Sequence, residues 1–272
     1  MSDPTPSSIP VAPTPTGVGW WFSDVHQMAL RNVRHIVRYR DQLGQALAQP
    51  VMFYILFTYV FGGAISVPGG DYQQFVIPGV LAQIVVFGSV LSMCVGIAAD
   101  LRNGVMDRFK SLPMTRSSVL AGRAVSEILR NVIAIAVILV LSHLLGYRFG
   151  GGPVQVLVGL GLLLLLGFAL SWILAFVGLI VQSVETAQFL GMMGLFPLAF
   201  LSSAFVPAES MPGWLAVWSE NQPVTVVIDA VRGLLNGDVG VDVALHPVLW
   251  CLGILAVFVP LSVSTFGRVT RS

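Results

Sequence analysis

Phe75–Ala99 and Pro153–Val181 contain no Asp, Glu, Lys or Arg. Each exceeds the roughly 20 apolar residues that a helix needs to cross a bilayer core of about 30 Å. Runs of this length and composition read as membrane-spanning helices. The rest of the chain agrees: 56% of the 272 residues are hydrophobic and only 10% are charged, where a soluble domain carries about a quarter charged residues. The fold class is therefore all-α and polytopic, in a membrane.

Six apolar stretches are long enough to be spans: 46–66, 75–99, 124–146, 153–181, 187–206 and 245–267. The first and fifth are shorter or interrupted by Gly and by Pro197, so five and seven are the neighbouring counts. Thirteen of the fourteen basic residues are Arg, and Lys110 is the only Lys. With the N-terminus in the cytosol, twelve basic residues fall inside and only Arg148 and Arg232 outside, as the positive-inside rule requires. Both termini are then cytosolic. Residues 1–19, rich in Pro, Ser and Thr, read as a disordered tail with no signal-peptide core. Asp24, Gln27, Arg31, Arg34, Arg38 and Asp41 recur in steps of three and four opposite Phe22, Val25, Ala29, Val33 and Ile36. Residues 20–45 thus read as a basic amphipathic helix suited to the anionic headgroup layer, either a plain anchor on membrane lipids or a helix that also braces a cytosolic partner. Residues 46–272 make up the six-span domain. Its outer segment, 209–240, carries two short apolar stripes. Met211, Trp214, Leu215 and Trp218 form one, and Val224, Val227, Ile228, Val231, Leu234 and Leu235 the other, for interfacial or re-entrant helices.

The charge-rich stretch between the second and third runs, "DLRNGVMDRFKSLP" (100–113), is the natural place for chemistry. It approaches the phosphate-gripping pattern G-x-x-x-x-G-K-[ST], with Gly104, Lys110 and Ser111 in register. Phe109 stands where the second Gly must open the backbone, and Asp107 places negative charge where phosphate would lie. The nucleotide reading fails. As a helix, Leu101, Val105, Phe109 and Leu112 make one apolar ridge, ended by Pro113. Such a helix either lies on the membrane or docks into a soluble partner, and spacing does not choose.

Other candidates are weaker. Arg123, Glu127 and Arg130 share a face near the inner end of the third run. They suit a snorkelling ion pair or a contact between subunits. His143 lies inside the same run, so burial with a hydrogen bond to a carbonyl is expected. His26, His35, His143 and His246 are scattered, Cys94 and Cys251 isolated, and no metal set or catalytic triad is apparent. The net charge of +1 gives no footprint for nucleic acid.

Four separated stretches, in order, carry a family resemblance. "ADLRNGVMDRFKSLPMTRSSVLAGR" resembles the signature of type-2 ABC exporter permeases, in particular the daunorubicin/doxorubicin-resistance permeases of actinobacteria. "QPVMFYILFTYVFGG", "FLSSAFVPAESMP" and "NQPVTVVIDAVRGLLNG" resemble their first span, fifth-span exit and outer re-entrant segment. The resemblance implies a plasma-membrane permease exporting amphipathic drugs, antibiotics or lipids. It also implies a second permease copy, identical or related, and two copies of a separately encoded ATPase. ATP and Mg would bind in that ATPase, and no cofactor or enzymatic activity is expected in this chain. Residues 100–113 would be the coupling helix, with Asp100, Leu101, Arg102, Gly104, Val105, Arg108, Phe109, Leu112 and Pro113 at the ATPase contact and Glu185 at a second, minor one. The aromatics Phe53, Tyr54, Phe57, Tyr59 and Phe61 of the first span could line the cargo path, or simply pack. The rival readings are an intramembrane lipid-modifying enzyme, for which no convergent polar set exists, and a non-transporting scaffold or immunity protein.

Overall fold

The computed structural model describes residues 48, 50–62, 67, 72–102, 116–181 and 183–269. The amphipathic helix expected over 20–45 lies outside them, as does the tail. All regular structure among the described residues is helical: α1 (Pro50–Phe61), α2 (Tyr72–Arg102), α3 (Arg116–Leu144), α4 (Pro153–Ile180), α5 (Val184–Phe200), α6 (Gly213–Asn221), α7 (Pro223–Asn236) and α8 (Leu245–Val269). Four segments are long and apolar enough to cross a membrane: α2, Gly122–Leu144 within α3, α4, and Val241–Val269, which takes in α8. Helices α1 and α5 are apolar but shorter. The 17 residues of α5 extend only about 25 Å.

The central post is α4, against which α2, α3, α7 and α8 all pack. Pro153 begins it at a position whose missing N–H costs nothing, and the Gln155 side chain accepts from the Gly152 N–H at 2.6 Å. Small residues set its approach to α2. A side chain at Gly178 would meet the Cys94 carbonyl, and one at Gly167 would meet Val85. Close backbone approach of this kind is how helices gain dispersion energy where no water drives them together.

Two helices contain a wide turn. In α1 the segment Leu56–Phe61 is π-helical, and in α2 the segment Val90–Val95 is. Each holds one residue more than an α turn, a device concentrated at functional segments. Helix α5 packs on the wide turn of α2, where the Cys94 thiol donates to the Ala187 carbonyl at 3.2 Å.

The stripe Val224, Val227, Ile228, Val231, Leu234 and Leu235 of α7 is buried against α4 and α2, facing protein rather than lipid. A left-handed Gly237 (φ +82°) ends this helix, with the Asp238 N–H closing back onto the Gly233 carbonyl at 2.9 Å. The stripe of α6 is different: Trp214 and Trp218 are exposed. His143 is not buried as its place in the apolar run suggested. It is exposed at the end of α3, where its carbonyl accepts from Arg148 Nη1 at 2.8 Å.

Candidate functional site

Of the residues expected at the ATPase contact, Asp100, Leu101 and Arg102 form the last turn of α2. Gly104, Val105, Arg108, Phe109, Leu112 and Pro113 lie outside the described residues. The last turn of α2 is tied to α3: Arg123 Nη2 donates to Asp100 Oδ2 at 2.7 Å, both side chains being about three-quarters buried. Gly96 makes room for this link, since any Cβ there would run into the Arg123 guanidinium. Eight residues earlier on α2 the device recurs. Gly88 accommodates the Arg130 guanidinium, which pairs through both Nε and Nη2 with a Glu127 that is only 1% exposed. The sequence grouped Arg123, Glu127 and Arg130 as one set. The structure divides them: Arg130 holds Glu127, and Arg123 reaches across to Asp100.

Glu185 stands in the first turn of α5, capped by Ser183, whose hydroxyl accepts from the Thr186 N–H at 3.0 Å. Its carboxyl is held below the usual carboxylate range. Its own backbone N–H is the main cause, the Ser183 hydroxyl contributes, and the positive charge of Arg102 adds to both. Asp100, Arg102, Arg123 and Glu185 therefore gather at one end of the helical body.

The five aromatics of the first span separate into three groups. Phe53, Phe57 and Phe61 follow one another along one face of α1 with stacked rings, and Phe57 stacks on Phe205 at 4.0 Å between centroids. From there the wall continues through Phe200, Phe196 and Phe87. Tyr54 leaves this face altogether. It is fully buried, and its hydroxyl accepts from Gln73 Nε2 at 2.8 Å. Tyr59 points away and is 61% exposed. Sequence reasoning missed Phe87, Phe196, Phe200 and Phe205. Only the i, i+4 pair Phe196 and Phe200 could have hinted at them.

At the opposite end, α7 is locked in place by one residue. Arg232 donates from Nε to the Phe75 carbonyl at 3.1 Å, from Nη2 to the Ser203 carbonyl at 2.6 Å and from Nη1 to Asp229 at 2.6 Å. It also lies 3.8 Å from the Phe75 ring centroid. Beside it opens a cavity of about 650 Å³ with Arg148, Glu209, Glu220 and Asp238 on its walls. Among the described residues, no three His, Cys, Asp or Glu side chains are grouped to hold a metal ion.

The chain that forms this helical body is similar in sequence to known proteins. The ABC-2 type transporter family matches residues 24–236. The chain is 36% identical over 228 residues to the daunorubicin resistance ABC transporter permease protein of Streptomyces coeruleorubidus, covering 83% of this chain and 79% of that one. It is 27% identical over 253 residues to the probable doxorubicin resistance ABC transporter permease protein of Mycobacterium tuberculosis, covering 88% of each. It is 25% identical over 196 residues to the probable multidrug ABC transporter permease of Escherichia coli, 68% of this chain and 50% of that one. With the match spanning most of the chain, from ahead of α1 to the last residue of α7, the protein belongs to the ABC-2 type transporter family as a multi-pass membrane permease that works with an ABC ATPase.

Proposed function

We propose that the protein is the membrane half of an ATP-driven exporter of aromatic amphiphiles in the plasma membrane. The observation that carries the cargo class is the wall formed by Phe53, Phe57, Phe61, Phe205, Phe200, Phe196 and Phe87. Planar aromatic cargo would stack on such a wall without needing a fixed hydrogen-bond pattern. The printed names of the relatives, with daunorubicin and doxorubicin in them, support this class.

In this reading α1, α2, α3, α4, α5 and α8 are six spans and both termini are cytosolic. Two copies of the permease, each with one ATPase subunit, make the transporter, and ATP and Mg bind only in the ATPase. Residues 100–113 are the coupling helix, with Phe109 as the anchor of its ridge, and Glu185 adds the minor contact. A push delivered to 100–113 reaches α2 directly and α3 through the Asp100–Arg123 link, which is why a loose cytosolic loop would not serve. Residues 1–19 remain a tail, 20–45 an interfacial helix and 46–272 the permease domain.

The test is ATP-dependent uptake of daunorubicin into inside-out vesicles that contain the permease and its co-encoded ATPase. Uptake is expected. Phe109→Ala should cut ATPase affinity by about thirtyfold, the usual cost of about 2 kcal/mol for truncating an aromatic anchor, and abolish uptake. Normal ATPase recovery and normal uptake with Phe109→Ala would overturn the docking role, and absence of uptake by the wild type would overturn the cargo class.

A further inference from the structure

Gln83 lies on α2, about 16 Å along the helix from Tyr72 and so near the middle of a bilayer core of about 30 Å. It is only 6% exposed, and neither its Nε2 nor its Oε1 has a hydrogen-bonding partner among the described residues. An amide carries two donors and an acceptor. Left unpaired in an apolar interior, it is among the costlier groups a fold can hold. The rest of this span is apolar enough that Leu or Met would serve packing better. A polar group kept unpaired at membrane depth points to something that enters and satisfies it.

Its position says what enters. One turn toward Tyr72, Gly79 is pressed against the backbone of Ala204, the residue before Phe205. One turn the other way, Phe87 makes ring contacts with Phe196 and Phe200. Gln83 therefore lies on one stripe of α2 between a backbone contact to Ala204, the neighbour of Phe205, and the ring contacts that Phe87 makes with Phe196 and Phe200. The wall offers π faces and no directional polar group; Gln83 offers both a donor and an acceptor at one point. We propose that the Gln83 amide is the polar recognition point of the cargo path. It would select aromatic amphiphiles that bear a hydroxyl or carbonyl group over equally apolar ones that bear none. Sites built to hydrogen-bond a ligand reject analogues lacking that group far more strongly than apolar pockets reject each other's ligands. This proposal rests on the exporter reading given above.

The test uses the full permease with its ATPase in proteoliposomes and two probes. Daunorubicin carries hydroxyls and carbonyls, whereas tetraphenylphosphonium is an aromatic cation without a hydrogen-bonding group. The readout is the ratio of their transport efficiencies, daunorubicin over tetraphenylphosphonium. Gln83→Met keeps the side-chain length and removes both polar atoms. That ratio should fall about tenfold, the worth of one well-made hydrogen bond. The melting temperature of the cargo-free permease should stay level or rise, because an unpaired polar group has gone. A ratio that changes less than threefold, with daunorubicin still transported, overturns the role of Gln83 and leaves the exporter reading intact. A lowered melting temperature with both probes slowed alike means that Gln83 is structural and also overturns it. A wild-type complex that hydrolyses ATP and moves neither probe overturns both readings together.

Discussion

Replacing Glu127 by Leu should be among the most damaging single changes in α3, and the damage should vanish when Arg130 is replaced as well. Glu127 is 1% exposed, while the Arg130 side chain that holds it is 20% exposed and rests in the notch over Gly88. Arg130 lies about 12 Å along α3 from Gly122, where the span begins, too deep for its guanidinium to be bathed freely in water. Removing one member of a buried pair leaves the other charged and unpaired, at a cost of about 3–5 kcal/mol. Removing both, with apolar residues of similar volume, restores stability to within about 1 kcal/mol of the wild type. The assay is SDS-driven unfolding of the purified permease in mixed micelles, followed by tryptophan fluorescence. It would be run on Glu127→Leu, Arg130→Met and the double variant, so that the coupling energy comes from the cycle. A Glu127→Leu cost below about 1 kcal/mol is what a solvated pair at the membrane surface would give. That result would refute the burial argument, and with it the view that Gly88 and Arg130 form a fixed contact between α2 and α3.

Gly178→Val should destabilise the same protein by about 1–3 kcal/mol, because a Cβ there comes within 2.6 Å of the Cys94 carbonyl. Gly161→Ala, on the same helix and with nothing within 4 Å, should be neutral or slightly stabilising in the same SDS titration. A single cysteine at 220 in a Cys-free background should react with an impermeant maleimide added to intact cells, and one at 110 should not. Labelling at 110 would invert the topology.

The ends of α4 were legible because a bilayer demands an uninterrupted apolar length, and Gly152–Pro153 marks where that length begins. The buried stripe of α7 was legible too, since its period of three and four survives whatever it packs against, but the sequence could not tell that the stripe faces α4. The bounds of α1 and α5 were blurred by their small residues and by Pro197, which weaken both length and periodicity. The Asp100–Arg123 link was hidden for another reason. Its partners stand on different helices, and what allows them to meet is the absence of a side chain at Gly96, which in a sequence is one glycine among 28. The division of Tyr54 from Phe53 and Phe57 was likewise out of reach. Neighbouring aromatics look alike in a span until the fold gives one of them Gln73 for a partner.

The wide turn at Val90–Val95 gives α2 an unusual tolerance for changes in chain length. Elsewhere in a span, deleting one residue turns everything beyond it by about 100° and breaks the match to neighbouring helices. In the wide turn the same deletion converts i→i+5 bonding into the ordinary ladder, so the backbone stays fully bonded. The extra residue is what is lost, so Gly96 and Asp100 stay close to the face that meets Arg123, while Gly79, Gln83 and Gly88 on the other side of the turn keep their neighbours. One residue of slack thus separates the part of the helix that faces the aromatic wall from the part that faces the pin. Insertions and deletions among related chains should therefore gather at this turn.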